Sequence, residues 1–281
     1  MKKIILVVAA AVAALFVVSC QKQEAPAKEY TFNLNASIAP ETKASWRTGW
    51  EQADEIFLTF GEDACMATGK YLKFIYNDSS WDLATDSATA SALISSLGSG
   101  GSGHYCAALA STSGNLTYDK WSGGAYQYFK NNYDEVLVSE AAVYSVDGTT
   151  VTVSLNFSHP ERCCQITVKG IDKSWKIAGD KLCPYNLARI PVGSNYAGSS
   201  DVEHTNQYNA EITPAPCDGD AKCYCYSYYS DGETMVFTLK HDTYGTWKKS
   251  FDSKGKAGKR AFIMQGPTDY SGTSSNGWTK Q

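Results

Sequence analysis

Short stretches in which apolar and polar residues alternate recur along the whole chain, and this pattern limits the fold more than any other feature. The clearest stretch is YTFNLNASI, residues 30–38, in which every second residue is apolar. A period of two residues predicts a β-strand with one buried face. Six further stretches follow the same pattern, at residues 56–60, 71–76, 151–157, 164–169, 234–240 and 260–265.

Turn-forming dipeptides separate these stretches. Asp147-Gly148, Asp218-Gly219 and Asp231-Gly232 are typical of hairpins and loops. Only residues 88–97 look helical, and Gly98 follows as a stop signal. We therefore predict an all-β protein built from β-sandwiches.

The position of a domain boundary depends on weaker signs. Residues 151–157 and 164–169 are expected to pair as a hairpin, and a turn-rich stretch starts at Gly170. About 260 residues suffice for one large or two modest domains. We place a boundary near Gly170, between residues 30–170 and 171–281.

The start of the chain has the pattern of an export signal. Lys2 and Lys3 precede residues 4–18, which are all apolar but too few to span a bilayer, since that takes about 20 residues. Residues 17–20, VVSC, resemble the lipobox of bacterial lipoproteins, in which the cysteine thiol receives a lipid and becomes the first mature residue. The resemblance implies a signal peptide at 1–19, lipidation of Cys20 and a tether at 20–29 that links the fold to the outer membrane. A plain secreted protein with an incidental cysteine is the alternative.

Charge and cysteine content narrow the function further. Without residues 1–19 the chain keeps 23 basic and 29 acidic residues, a formal charge of −6, so it lacks the basic footprint of a nucleic-acid-binding protein. An even number of cysteines after an export signal suggests disulfides, whose connectivity stays open. These cysteines are Cys65, Cys106, Cys163, Cys164, Cys183, Cys217, Cys223 and Cys225.

A thiolate zinc site is conceivable at Cys223-Tyr224-Cys225 with Cys217 nearby. The C-x-C spacing is not the usual one for zinc, and disulfides or buried thiols explain these residues better. No metal and no cofactor are predicted.

Three longer segments together carry a family resemblance. They are TKASWRTGWEQADEIFLTF (42–60), VTVSLNFSHPERCCQITVKG (151–170) and GKAGKRAFIMQG (255–266). In this order they resemble the fimbrillin-like lipoproteins, the type V pilins and their accessory subunits. Phe157-Ser158-His159 matches the family's Phe-x-His strand end, whereas Ala53-Asp54 replaces the expected Gly-Asp turn and residues 105–110 lack an aromatic-Pro pair.

The resemblance implies two tandem transthyretin-like β-sandwich domains in a surface lipoprotein that is a fimbrial subunit and serves adhesion. In polymerising members a trypsin-like protease removes an N-terminal strand, which a strand of another pilus subunit replaces by β-strand addition. Residues 30–38 would be that strand, or else a permanent one, and Lys43 and Arg47 are candidate cleavage positions. Residues 271–281 make a poor donor strand, which indicates an accessory or tip subunit.

The aromatic content supports a second interpretation. Seven Trp and eighteen Tyr, including the run Tyr224, Tyr226, Tyr228 and Tyr229, could supply stacking faces for sugar rings. The alternative is therefore an outer-membrane-anchored glycan-binding lipoprotein with a host glycan or protein as its ligand. A third possibility is a lipid-anchored protein that coats the cell. Exposure of the rings would separate the first two.

Other motifs carry less weight. Residues 98–103, GSGGSG, lack the strand-to-helix context of a dinucleotide site and predict a loop. His104, His159, His204 and His241 are scattered, and His159 is expected to be structural. The carboxylates are dispersed, so nothing points to an enzyme. Asp86-Ser87-Ala88 resembles a short O-glycosylation sequon, with Ser87 as the candidate acceptor.

Overall fold

A computed structural model describes most of the chain beyond residue 27. The described ranges are 28–40, 46–60, 71–96, 106–111, 116–121, 124–129, 135–139, 142–159, 162–184, 188–191, 203–204, 209–215, 219–252 and 260–281. Within these ranges the chain forms strands and one short helix, which confirms the all-β prediction. No helix in the described ranges is long and apolar enough to cross a membrane.

The strands are numbered in chain order. The first eleven are β1 (Thr31–Ile38), β2 (Glu55–Phe60), β3 (Tyr71–Asn77), β4 (Ser80–Leu83), β5 (Cys106–Ser111), β6 (Leu116–Trp121), β7 (Gly124–Phe129), β8 (Val136–Ser139), β9 (Ala142–Asp147), β10 (Thr150–Phe157) and β11 (Cys163–Lys169). The others are β12 (Lys176–Gly179), β13 (Leu182–Pro184), β14 (Ala188–Pro191), β15 (Glu203–His204), β16 (Asp220–Ser227), β17 (Thr234–His241), β18 (Gly245–Asp252), β19 (Arg260–Gln265), β20 (Ser274–Ser275) and β21 (Trp278–Lys280). The helix α1 covers Ser87–Ser96. All seven alternating stretches are strands, and the predicted helix lies within one residue of α1.

Two sheets enclose the first hydrophobic core and form what we call the N-terminal sandwich. One sheet has the order β1-β10-β9 and the other β4-β3-β2-β5-β8. Ile56 and Phe74 of the larger sheet are buried in one cluster with Val153 and Phe157 of β10. Alternate side chains of each strand therefore meet between the sheets, as expected for face-to-face packing.

A second pair of sheets forms the C-terminal sandwich. Their orders are β13-β16-β11-β19 and β12-β17-β18-β21-β20. Their shared core contains Ile166 and Cys223 from the first sheet and Phe237, Trp247 and Trp278 from the second. A further sheet, β15-β14-β7-β6, joins strands from both halves of the sequence.

The predicted hairpin between β10 and β11 is wrong. Strand β10 pairs with β1 on one edge and β9 on the other, and β11 pairs with β16 and β19. Because both edges of each strand are occupied, β10 and β11 cannot pair with each other. The first buried cluster ends at Phe157 and the second begins at Cys164. The boundary near Gly170 stays a prediction.

The described cysteines of the C-terminal sandwich are all buried. Cys164, Cys183, Cys223 and Cys225 are buried thiols, and Cys163 is buried beside them. Burial raises the pKa of Cys183 to about 12 and raises the pKa of Cys223 as well. The sequence left disulfides and buried thiols as alternatives for these cysteines. At these four positions the structure has buried thiols.

Candidate functional site

Strand β1 occupies an edge of the N-terminal sandwich. It pairs in parallel with β10 along its full length, from Thr31 opposite Thr150 to Ile38 opposite Phe157. Within the described residues β10 is its sole strand partner. The backbone N–H of Thr31 and Ala39 donate to Thr149 and Phe157, so the odd-numbered residues point their backbone groups toward β10. The even-numbered residues present theirs to the open edge.

The two faces of β1 differ in character. Thr31, Asn33, Asn35 and Ser37 are exposed, whereas Phe32, Leu34, Ala36 and Ile38 are half-buried against the first core. The ring of Phe32 meets that of Phe74 edge to face, with centroids 5.7 Å apart. Fully burying a large apolar side chain contributes about 1.5–3 kcal/mol. Half-burial of Phe32, Leu34 and Ile38 therefore contributes roughly 2–5 kcal/mol.

Trp50 attaches the open edge of β1 to the rest of the sandwich. Its indole Nε1–H donates to the Ala36 carbonyl at 3.0 Å. Its ring meets Trp81 and Phe157 edge to face, with centroid distances of 5.0 and 5.2 Å. Trp50 belongs to the SWRTGW segment of the family resemblance, so this motif covers one carbonyl of the candidate exchange strand.

A buried ion-pair network follows β1 in the sequence. The side chain of Arg47 is 9% exposed, and its Nε lies 3.2 Å from Glu135 Oε2. Its Nη1 contacts Asp54, and its Nη2 lies 3.6 Å from Glu51 Oε2. His159 Nε2 lies 2.6 Å from Glu135 Oε1. Glu135 is thus bound from two sides.

The charges in this network shift two carboxyl groups in opposite directions. Burial favours the neutral form of Glu135, but the hydrogen bond from His159 and the charges of His159 and Arg47 lower its pKa to about 2. Burial raises the pKa of Asp54, although the N–H of Glu51 and the guanidinium of Arg47 act against it. Glu135 is therefore ionised in the folded protein over most of the pH range.

The network brings together two motifs that are far apart in sequence. The rings of Trp46 and His159 are 3.8 Å apart between centroids, and both side chains are buried. The SWRTGW segment thus packs on the Phe-x-His strand end, and the structural role predicted for His159 is confirmed. Glu135, the residue that joins them, stands in no motif, and no local signal in the sequence could have singled it out.

Some of the predicted site residues lie within the described ranges and others lie outside them. Cys20, Lys43 and the loop 98–103 lie outside the described residues. Arg47 is described, and its side chain is buried and paired, so a protease could bind it only after local opening of the fold. No group of three or more His, Cys, Asp or Glu in the described ranges is arranged to bind a metal ion.

The predicted sequon coincides with the start of α1. Ser87 is exposed and is the first residue of the helix. Asp86 Oδ1 accepts a hydrogen bond from the Thr89 N–H at 2.9 Å, which caps the helix and lowers the pKa of Asp86. The carboxylate therefore has a structural role, and glycosylation of Ser87 stays a prediction.

The tyrosine run considered for sugar stacking is mostly core. Tyr224, Tyr226 and Tyr229 are buried, and Gln165 Nε2 donates to the hydroxyl of Tyr224 at 3.0 Å. Tyr228 is half-buried, so the run does not form the exposed row of rings that the glycan-binding alternative requires.

Exposed aromatic edges occur instead beside β1. A cavity of about 570 Å³ is bounded there by Trp50, Tyr76 and Trp81, which are all half-buried. Residues of β1 and of its partner β10 line one side of this cavity, so the candidate exchange strand and the cavity share residues.

Three solved structures illustrate what the chain is similar to. A proposed cell adhesion protein from Bacteroides ovatus has 13% identity and a TM-score of 0.47, over 84% of this chain and 92% of that one. A fimbrial protein from Bacteroides ovatus has 11% identity and a TM-score of 0.37, over 85% of this chain and 48% of that one. The fimbrial anchor protein Mfa2 from Porphyromonas gingivalis has 9% identity and a TM-score of 0.35, over 80% and 83%. No family model matches the chain, and no curated protein is similar to it in sequence.

Proposed function

We propose that the chain is a cell-surface lipoprotein, anchored in the outer membrane through Cys20, that acts as an accessory or tip subunit of a fimbrium and serves adhesion. In this proposal β1 is removed by proteolysis and a strand of a neighbouring subunit takes its place. The observation that carries the proposal is the placement of β1: an edge strand with one partner among the described residues and one half-buried apolar face.

Loss of β1 would create a binding site for a strand. It would free the edge of β10 and uncover the apolar positions that Phe32, Leu34 and Ile38 occupy. A sheet edge with unpaired N–H and C=O groups is a template for another strand. The roughly 2–5 kcal/mol of apolar burial in β1 would then favour any donor strand with the same alternation of apolar and polar residues.

The network around Arg47 supports Lys43 as the cleavage position. Trp46 packs on His159, and Arg47 is paired with Glu135 and Asp54. Cleavage after Lys43 leaves Trp46 and Arg47 covalently joined to the body, so the network stays with the fold. Cleavage after Arg47 would require these contacts to break first.

The end of the C-terminal sandwich is consistent with an accessory or tip role. Strand β21 pairs with β18 of its own sheet. Trp278 is buried, and its Nε1–H donates to the Gln265 carbonyl at 2.9 Å. These residues complete their own sheet, so they are poorly suited to donation to another subunit.

A disulfide that locks β1 in place tests the exchange. Asn33 and Thr152 are parallel register partners outside the ion-pair network. Neighbouring strands lie about 4.8 Å apart, within the Cα separation that a disulfide accepts. After trypsin treatment we expect the wild-type protein to bind an added, fluorescently labelled peptide of residues 30–38, which contains the sequence of β1, as its donor strand. We expect the oxidised Asn33→Cys/Thr152→Cys protein to bind this peptide only after a reductant is added.

The single variant Asn33→Cys is the matched control and should bind the peptide like the wild type. Fluorescence polarisation of the labelled peptide measures the binding. If the oxidised double variant binds the peptide as readily as the wild type, β1 is not the strand that is exchanged.

A further inference from the structure

The cavity beside β1 has the size of a small-ligand site. Its volume is about 570 Å³, within the roughly 300–1,000 Å³ typical of ligand pockets. One side is formed by β1 and β10, and the opposite side by Trp50 and the β3–β4 hairpin. The lining residues are Leu34, Asn35, Ala36, Ser37, Trp50, Tyr76, Ser79, Trp81, Ser154, Leu155 and Asn156.

Among the described residues that line this cavity, none has a charged side chain. It offers no cation to bind a phosphate or carboxylate, and no Asp, Glu, His or Cys to bind a metal ion. Its polar groups are the amides of Asn35 and Asn156 and the hydroxyls of serines. Amides and hydroxyls can both donate and accept hydrogen bonds. The ligand that matches them is neutral and rich in hydroxyl groups.

The apolar part of the cavity is aromatic. The rings of Trp50 and Trp81 are 5.0 Å apart at 82°, and those of Tyr76 and Trp81 are 5.1 Å apart at 55°. The rings are tilted instead of stacked, so the two rings of each pair do not lie face against face. A ring face carries partial negative charge and attracts the partially positive hydrogens of C–H groups.

Several polar groups of the cavity are unused within the described chain. The indole N–H of Trp81, the hydroxyl of Tyr76 and the amide of Asn35 have no hydrogen-bond partner among the described residues. Asn156 uses its Oδ1 to accept from the Ser37 hydroxyl at 3.2 Å, and its Nδ2 remains available. Donors and acceptors thus surround the aromatic walls.

We infer that this cavity binds a neutral sugar unit of an oligosaccharide. A pyranose has a face of C–H groups that fits an aromatic wall and a rim of hydroxyls that fits the amides of Asn35 and Asn156. The inference goes beyond the proposed function and does not depend on strand exchange, because the intact chain forms the cavity. Leu34, Asn35, Ala36 and Ser37 of β1 line it, so the site exists only while β1 is in place.

Calorimetric titration of the full-length protein in detergent tests the inference. The probes are neutral hexasaccharides of glucose, mannose, galactose and N-acetylglucosamine, with a sialylated oligosaccharide for comparison. We expect at least one neutral probe to bind and the binding to weaken at least tenfold in Trp81→Ala and in Asn156→Ala. Tyr244→Ala is the matched control, since Tyr244 is 38% exposed in the C-terminal sandwich and does not line the cavity. It should bind like the wild type.

The result does not depend on Trp81 alone. Trp81→Ala loses packing against Trp50, so its fold is checked by thermal unfolding. Asn156→Ala removes an exposed side chain and its hydrogen bond from Ser37, and its fold is checked in the same way. The inference is overturned if no neutral probe binds at millimolar concentration, if only the sialylated probe binds, or if Asn156→Ala binds like the wild type. In the oxidised Asn33→Cys/Thr152→Cys protein β1 cannot be exchanged. If this protein still binds sugar, sugar binding does not depend on strand exchange.

Discussion

Replacing Glu135 by glutamine removes the charge at the centre of the ion-pair network and keeps the side chain's size. In the wild type this carboxylate accepts from His159 at 2.6 Å and from Arg47 Nε at 3.2 Å. The pKa of Glu135 is about 2, against an ordinary value of 4.5. Each pH unit between the two values corresponds to about 1.4 kcal/mol, so the ionised form stabilises the fold by on the order of 3 kcal/mol.

The pH dependence follows from the direction of this shift. Because the pKa is lower in the folded state, the contribution is fully present above about pH 4.5 and is lost as the pH falls toward 2. Urea unfolding of the purified protein between pH 7 and pH 2 measures it. We expect Glu135→Gln to be less stable at pH 7 and the difference to shrink steadily below pH 4.5.

Glu29→Gln is the matched control, since Glu29 is exposed and the same charge is removed. Its stability should follow that of the wild type at every pH. If the wild type and Glu135→Gln have parallel stability profiles from pH 7 to pH 2, the reasoning about this network is refuted.

Three further predictions concern β1, the anchor and the helix. Leu34→Ala should lower the free energy of unfolding in urea by about 1–2 kcal/mol, because Leu34 is half-buried. Asn33→Ala, at the exposed neighbouring position, should stay within about 0.5 kcal/mol of the wild type. Equal losses in the two variants would contradict the assignment of the buried and exposed faces of β1. Cys20→Ala should abolish acylation and release the protein from membranes washed without detergent, and retention of that variant would exclude the lipid anchor. Intact-mass analysis of protein from the native host should show added hexoses that Ser87→Ala lacks; an unmodified wild-type mass removes this assignment.

Local structure could be predicted from the sequence because it depends on local periodicity. The seven alternating stretches are strands, and β1 and β10 lie within one residue of their predicted ends. The helix is equally close, since Asp86 caps it with a side chain adjacent in sequence. Each of these features is determined by residues within a few positions of one another.

Pairing could not be predicted because it depends on which sheet edges remain free. The parallel contact of β1 with β10 joins residues 31–38 to 150–157, and no pattern in either strand specifies the other. The hairpin expected between β10 and β11 does not form, because other strands already pair with both edges of each. Proximity in sequence favours a hairpin only where both strands still have an open edge.

The site was only partly predictable for the same reason. Arg47 and His159 were recognised as parts of motifs, but their meeting point is Glu135, an isolated carboxylate. The aromatic wall of the cavity comes from Trp50, Tyr76 and Trp81, whereas the sequence pointed to a tyrosine run that turned out to be buried. Composition identifies aromatic residues but does not say which of them lie at a surface.

Immunogold electron microscopy of intact native-host cells tests the central claim most directly. An antibody against the C-terminal sandwich is applied to cells that produce the wild type and, in parallel, to cells that produce the Asn33→Cys/Thr152→Cys variant under oxidising conditions. The account predicts gold particles on fibres that extend from the wild-type surface, concentrated at fibre ends for a tip subunit, and gold confined to the outer membrane for the locked variant. Wild-type gold confined to the outer membrane, with none on fibres, would contradict it.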